Sequence, residues 1–243
     1  MRILVISDIH SNYTALDAAL NDAGECDETW CLGDIVGYGP DPNAVVEQVR
    51  ELNHLTCILG NHDVAVIGKM PFEAFNGDAR RSLVWTERVL TADNMDFLRS
   101  LPQNVKVRGN VSMAHGSPRD PVWEYVLNTL SARLNFDHFD TPYCFVGHSH
   151  VQAMFQFNEK NNRVTMEPTH PGEVIALTQR SILNPGSVGQ PRDRDPRAAY
   201  AIYDTEAQTW EARRVEYNIS EVQQRIREAG LPEKHALRLS EGW

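Results

Sequence analysis

Five short segments of this 243-residue chain concentrate side chains that can hold divalent metal ions. They are Asp8-Ile-His10, Gly33-Asp34, Gly60-Asn61-His62-Asp63, His115-Gly116 and Gly147-His148-Ser-His150. Carboxylate and imidazole together suit borderline ions such as Mn, Fe, Co, Ni or Zn better than Ca or Mg, which prefer shells of oxygen alone. A glycine beside such a residue can take backbone angles closed to others and lets the chain pass close to an ion or a phosphate. Taken singly, each segment has an ordinary explanation: Asp-x-His as a helix cap with a loop histidine, Gly-Asn-His-Asp as a turn. Five in order, each just after a predicted strand, are hard to produce by capping and turn chemistry.

The elements that must position these segments follow from hydrophobic periodicity. Arg2–Ser7 carries a continuous Ile-Leu-Val-Ile run that suits a strand buried on both faces. Leu16, Ala19, Leu20 and Ala23 then form one apolar helical stripe, with Gly24 placed to end it. Thr29–Leu32 is the second predicted strand. Asp41 and Pro42 open a helix to about Glu51, and Thr56–Leu59 is the third strand. A β-α-β-α-β order implies a parallel sheet. Pro71 to Pro102 has helical periodicity and reads as an inserted helical cap. Strands are expected near Val105 and at Val111–Ala114 and Tyr143–Val146, with helical stretches at Trp123–Leu130 and Ser131–Phe136 between them. Met154–Phe157, Arg163–Met166, Val174–Leu177, Ser181–Leu183, Ala199–Asp204 and Trp210–Val215 read as strands of a second sheet. Ser220 and Gln223 match a capping box for a last helix ending at Ala229-Gly230. The tail after Pro232 is expected to be loosely held. Residues 1–243 are thus expected to form a single domain, with its cap at about 71–102 and its last helix and tail at about 220–243.

Composition narrows the classes. Hydrophobic content of 42% and charged content of 23% fit a folded globular chain and argue against extensive disorder. A formal charge of −10 disfavours nucleic acid and anionic membrane as partners. The Met1 end shows no signal-peptide pattern and no later run reaches transmembrane length, so a cytoplasmic protein with no membrane partner is expected. Cys26, Cys31, Cys57 and Cys144 include no C-x-x-C pair and read as small buried hydrophobes.

The ordered set Asp8-x-His10, Gly33-Asp34, Gly60-Asn61-His62-Asp63, His115 and Gly147-His148-x-His150 resembles the calcineurin-like metallophosphoesterase superfamily over roughly residues 1 to 205. That resemblance implies an α/β fold, a four-layer αββα sandwich of two mixed β-sheets flanked by helices, with a dinuclear metal centre at one edge. It implies that Asp8, His10 and His150 hold one ion, that Asn61, His115 and His148 hold the other, and that Asp34 bridges them. Two such ions can share a hydroxide and stabilise both attacking and leaving oxygens at phosphorus. His62 resembles the family's non-ligand histidine, acting as general acid or as an imidazolium on the phosphate, and Asp63 is expected to hydrogen-bond it and fix its tautomer. The chain lacks the arginine that serine/threonine protein phosphatases carry shortly after the bridging Asp, and has Asp63 where they have Glu. This favours the bacterial-type small-molecule phosphatases and phosphodiesterases.

Four residues are candidates for shaping the substrate site. Tyr38 could stack on a base or aryl group or be a turn aromatic. Arg192 and Arg194 could fork onto phosphate oxygens or belong to a solvated loop. Asn12 could touch substrate or cap the first helix. The expected activity is metal-dependent hydrolysis of a small, possibly nucleotide, phosphate ester. The competing readings are a nuclease on the same scaffold, opposed by the net acidity, and a non-catalytic scaffold, opposed by the complete ligand set.

Overall fold

The first strand, β1 (Arg2–Ile6), explains the layering. Ile3 and Val5 point to one face, Leu4 and Ile6 to the other, and all four are buried. A strand buried on both faces needs a layer on each side. The computed structural model, which describes residues 1–107 and 111–243, has a second sheet on one side and helices on the other. In chain order β1 is followed by α1 (Tyr13–Ala23), β2 (Glu28–Cys31), α2 (Pro42–Arg50), β3 (Leu55–Cys57), α3 (Asn61–Val66), α4 (Gly77–Val89) and α5 (Ala92–Ser100). Then come β4 (Asn104–Val107), β5 (Val111–Ala114), α6 (Thr129–Asn135), β6 (Tyr143–Val146), β7 (Gln152–Asn158), β8 (Arg163–Glu167), β9 (Val174–Ala176) and β10 (Arg180–Pro185). The chain closes with β11 (Ala198–Asp204), β12 (Thr209–Val215), α7 (Ile219–Glu228) and α8 (Glu233–Glu241).

The two six-stranded sheets run β3-β2-β1-β11-β12-β9 and β4-β5-β6-β10-β7-β8. Both are mixed: β1, β2 and β3 are parallel, as are β5, β6 and β10, while the remaining pairs are antiparallel. Between the sheets Phe145 packs edge-on to Tyr203 (5.2 Å between ring centroids) and to Trp210 (4.8 Å), with Trp30 beside them. Leu16 of α1, Val45 and Val49 of α2, and Leu83 and Leu98 of α4 and α5 cover the outer face of the first sheet. Phe136, following α6, covers the second with Val146, Phe155 and Ile182. The result is the four-layer αββα sandwich of two mixed β-sheets that the resemblance implies.

Four local expectations need correction. The C-terminal strands do not all build the second sheet: β11 returns antiparallel beside β1, from Arg2↔Asp204 to Val5↔Ala201, and draws β12 and β9 with it. The stretch expected to be helical at Trp123–Leu130 is helical only from Thr129, because Asn128 caps α6 by accepting from Leu130 and Ser131. The last long helix is capped by Asn218, which accepts from the Glu221 N–H, rather than by Ser220 and Gln223. Asp41 precedes α2 but makes no side-chain cap; its carboxylate pairs with Arg225 of α7 at 3.2 Å.

The tail after Pro232 is not loose. It forms α8, whose Ala236 and Leu239 are buried against Val222 and Ile226 of α7. His235 is buried too, with Nε2 3.2 Å from the Asp78 carbonyl of α4. We therefore expect Leu239→Ala to lower unfolding free energy by about 2 to 4 kcal/mol, seen as a lower urea midpoint, where a loose tail would show no change. Burial also pushes the His235 pKa down to about 4. An unfolded histidine titrates near about 6.5, so between the two values the unfolded state holds the extra proton and stability falls as pH drops; above about 6.5 this contribution is complete. His235→Gln should flatten that part of the profile in urea titrations run across the window.

Candidate metal centre

Each segment of interest leaves the carboxyl end of a parallel strand, where open α/β sheets place their sites. Asp8 and His10 follow β1, Asp34 follows β2, His115 follows β5, and His148 and His150 follow β6. Asn61 and His62 are not in a turn: they form the first turn of α3, directly after β3. All of these side chains are buried. Asp8, His10, Asp34, His148 and His150 have φ between 49° and 64°, a left-handed conformation that non-glycine residues seldom adopt. Backbone bonds hold them there, Asp8 N–H to Gly33 O (3.0 Å) and His10 N–H to Asp34 O (2.9 Å). The Asn184-Pro-Gly-Ser187 loop assists: Asn184 donates to Gly147 O (2.7 Å) and Ser187 Oγ to Asp8 O (2.8 Å). At Gly60 a Cβ would collide with the Asp34 carboxylate, and at Gly37, with φ of 95°, it would collide with the His62 ring.

The structure brings the seven residues Asp8, His10, Asp34, Asn61, His115, His148 and His150 together. His10 Nε2 lies 3.1 Å from His150 Nε2 and 3.5 Å from Asp34 Oδ2. His150 Nε2 is 3.3 Å from Asp8 Oδ1. On the other side His115 Nε2 is 3.4 Å from Asp34 Oδ2, 3.1 Å from Asn61 Oδ1 and 3.2 Å from His148 Nδ1. The remaining nitrogen of each ring meets a backbone carbonyl: His10 with Val36, His115 with Leu32, His150 with Gln190, and His148 with Trp123. A carbonyl only accepts, so that nitrogen carries a proton, and in the neutral form of each ring the other nitrogen turns a lone pair inward. Lone pairs facing each other at 3.1 Å repel unless a cation lies between them. The donor set therefore fits divalent metal.

The electrostatics agree. Burial lowers His10 and His150 well below the usual imidazole range and takes His148 to about 3, so these rings are neutral ligand types. Burial alone would lower His115 as well, but Asp34 and Asp8 outweigh it and raise it to about 9. Burial would raise Asp34, yet His115 and His62 hold it well below the carboxylate range. Asp8, driven up by burial, sits at about 7. A proton on His115 does part of what a metal cation would do more fully.

His62 lines a cavity of about 120 Å³ together with Asp34, Asn61, His148 and Arg192. Its Nδ1 is buried without a hydrogen-bond partner among the described residues, and burial lowers its pKa to about 4. The Asp63 carboxylate makes no hydrogen bond to the His62 ring, which corrects the expected pairing. The Asp63 carboxylate instead accepts from the backbone N–H groups of Gly60 (3.0 Å), Ile35 (3.2 Å) and Val36 (3.1 Å), tying the Asp34 loop to the start of α3. Of the four substrate candidates, Tyr38 and Arg192 line the cavity. Asn12 does not; it caps α1 through Ala15 N–H and donates to Gly189 O. Arg194 is exposed and ties its backbone N–H to Gly242 O at 2.7 Å. The sequence reading missed the cavity's aromatic wall of Phe75, Trp123 and Tyr125. Tyr125 stacks on His148 at 3.8 Å, and Trp123 contributes through its carbonyl, which leaves no mark in the sequence.

Fold and site together define a metal-dependent phosphoester hydrolase. The chain belongs to the calcineurin-like phosphoesterase superfamily, whose domain profile matches residues 1–208. It is 49% identical to a metallophosphoesterase from Sphaerobacter thermophilus, with a TM-score of 0.91 covering 100% of this chain and 99% of that one. It is 40% identical over 239 residues to an uncharacterized protein of Methanocaldococcus jannaschii, 95% of this chain and 94% of the relative. A symmetrical bis(5'-nucleosyl)-tetraphosphatase from Erwinia tasmaniensis is 38% identical over 142 residues, 55% of this chain and 50% of that protein.

The Asp63 geometry makes a prediction that separates a structural from a catalytic role. Asp63→Ala would leave three buried N–H groups unpaired, so it should lower stability by about 3 kcal/mol or more and weaken metal uptake. Urea denaturation and elemental analysis would show both. A residue that merely oriented His62 would lower turnover and leave the two measurements unchanged.

Proposed function

We propose that this chain hydrolyses a small phosphate ester with two divalent ions, one held by Asp8, His10 and His150, the other by Asn61, His115 and His148, and Asp34 shared between them. One observation carries this reading: Asp34 converges with Asp8, His10 and His150 in one group of donors and with His115 and His148 in another, each group's atoms within 4.8 Å of one another. When bound, such ions would bring the pKa of a water toward neutrality and stabilise charge on the attacking and leaving oxygens. Asn61, a neutral donor, keeps the centre more cationic than a carboxylate would. The mixed imidazole and carboxylate set favours manganese and its borderline neighbours Fe, Co, Ni and Zn.

The side chains around that centre bind and protonate. Arg192, held by Gln190 Oε1 at 2.9 Å, presents its guanidinium to the cavity and suits phosphate oxygens. His62 shares the cavity with Asp34 and gives the leaving oxygen its proton; a bound phosphate anion favours the imidazolium and raises the depressed pKa. A cavity of about 120 Å³ suits a phosphoryl group rather than a whole nucleotide, so the organic part lies outward along Trp123 and the half-exposed Tyr125. Together with the tetraphosphatase relative, this favours a phosphodiester or phosphoanhydride bearing a planar group. A cytoplasmic setting accords with four free cysteines. No helix among the described residues is long and apolar enough to cross a membrane.

Asp34→Asn should abolish turnover and reduce bound metal; two ions with full turnover would overturn the shared role. His62→Ala should keep its metal but slow alkyl phosphate esters by about 10² to 10⁴ while p-nitrophenyl esters lose much less, because only poor leaving groups need the proton. Equal losses for both ester classes would remove the general-acid role and leave the metal assignment standing.

A further inference from the structure

What orients His62 is a problem the ligand histidines do not share. Their rings are fixed by bonds to backbone carbonyls, whereas His62 Nδ1 has no hydrogen-bond partner among the described residues. Its direction is set by ring packing. Tyr38 lies 4.4 Å from it, His10 at 4.8 Å and Phe75 at 5.1 Å, centroid to centroid. His10 is committed to the metal cluster, and Phe75 comes from a segment outside the sheet core. Tyr38 is the neighbour with rigid backing of its own.

That backing comes from several directions. The Tyr38 backbone is held in the left-handed region, φ 55°, after Gly37, whose missing Cβ makes room for the His62 ring. Arg192, itself bonded to Gln190 Oε1, lies over Tyr38 with its guanidinium carbon 5.6 Å from the ring centre. Behind Tyr38, at 4.8 Å, stands His235 of α8, itself held by the Asp78 carbonyl of α4. Helix α8 lies beyond the residues that the superfamily profile matches, so this contact joins the C-terminal helix pair to the core of the site.

We propose that Tyr38, backed by His235, is the positioning residue that holds the His62 ring toward the leaving oxygen. The C-terminal helix pair is thereby part of the catalytic apparatus without touching substrate or metal. The inference rests on the reading of His62 as proton donor. A ring freed to swing by about 1 Å loses proton-transfer geometry, a displacement that typically costs about 10²-fold. That loss falls on the protonation step, so it must depend on the leaving group.

The test compares kcat on an alkyl and a p-nitrophenyl phosphodiester at saturating Mn, with bound metal measured by elemental analysis. Tyr38→Leu should slow the alkyl ester by about 10- to 100-fold, leave the p-nitrophenyl ester within a few-fold, and keep its metal. Tyr38→Phe, which preserves the ring, should restore both rates. His235→Leu should reproduce the selective loss to a smaller degree. Uniform loss on both esters in Tyr38→Leu, loss of metal, or failure of Tyr38→Phe to rescue would each overturn the proposal. His62→Ala is run alongside: leaving-group selectivity there without selectivity in Tyr38→Leu defeats the positioning role alone. Uniform loss in His62→Ala defeats the proton-donor reading and this inference with it.

Discussion

The arrangement depends on one buried carboxylate. Asp34 lies 3.5 Å from His10 Nε2 and 3.4 Å from His115 Nε2, and its other oxygen accepts the His62 N–H at 2.8 Å. Nothing about a hydrophobic sandwich requires an acid at that position, and an isolated buried carboxylate would cost several kcal/mol. It is tolerable because imidazoles and backbone donors surround it, and metal would stabilise it further. Each neighbouring feature follows from keeping that oxygen reachable from two sides. Gly60 has no Cβ because one would collide with the Asp34 carboxylate, and the Asp34 backbone is turned left-handed so that the side chain points across the strand ends.

Strain and pinning balance around this residue. Five cluster residues with positive φ would relax if their loops could move, and the bonds that prevent it come from distant parts of the chain. Ser187 holds Asp8, Asn184 holds the loop before His148, and Asp63 clamps Ile35 and Val36 to Gly60. Two sheets are needed because the donors come from both: Asp8, His10, Asp34 and Asn61 follow strands of the first, His115, His148 and His150 strands of the second. Packing of Trp30 and Tyr203 against Phe145 between the sheets fixes the distance across which Asp34 reaches His115.

Much of this was legible because it is local. The apolar run of β1, the α1 stripe closing at Gly24, and metal-ligand types just past strand ends are written in periods of two and about four residues. The unreadable parts are tertiary. Whether β11 pairs with β1 or with the second sheet depends on register between residues two hundred apart, and both alternatives look equally strand-like. Asp63 looked like a partner for His62 by adjacency, but its acceptors are used by backbone amides, which every residue but proline carries. The Trp123 carbonyl that holds His148 is invisible for the same reason. Helix α8 did leave a signal in Ala236 and Leu239 on one face, too short a stripe to outweigh its terminal position.

The contrast between His62 and its neighbours carries a chemical logic. A ligand imidazole must keep one tautomer, since its inward nitrogen has to stay unprotonated while the outer one donates. On the ligand assignment proposed above, His10, His115 and His150 secure this by bonding Nδ1 to a backbone carbonyl, which holds the proton there. A residue that delivers a proton and then recovers it passes through a different protonation state in each turnover, and a fixed acceptor at Nδ1 would bias it toward one. Among the described residues His62 has no partner at that atom and is held by aromatic rings, which constrain direction while leaving protonation free. Packing against Tyr38 and Phe75 is thus the form of restraint that suits a proton carrier, and hydrogen bonding the form that suits a ligand.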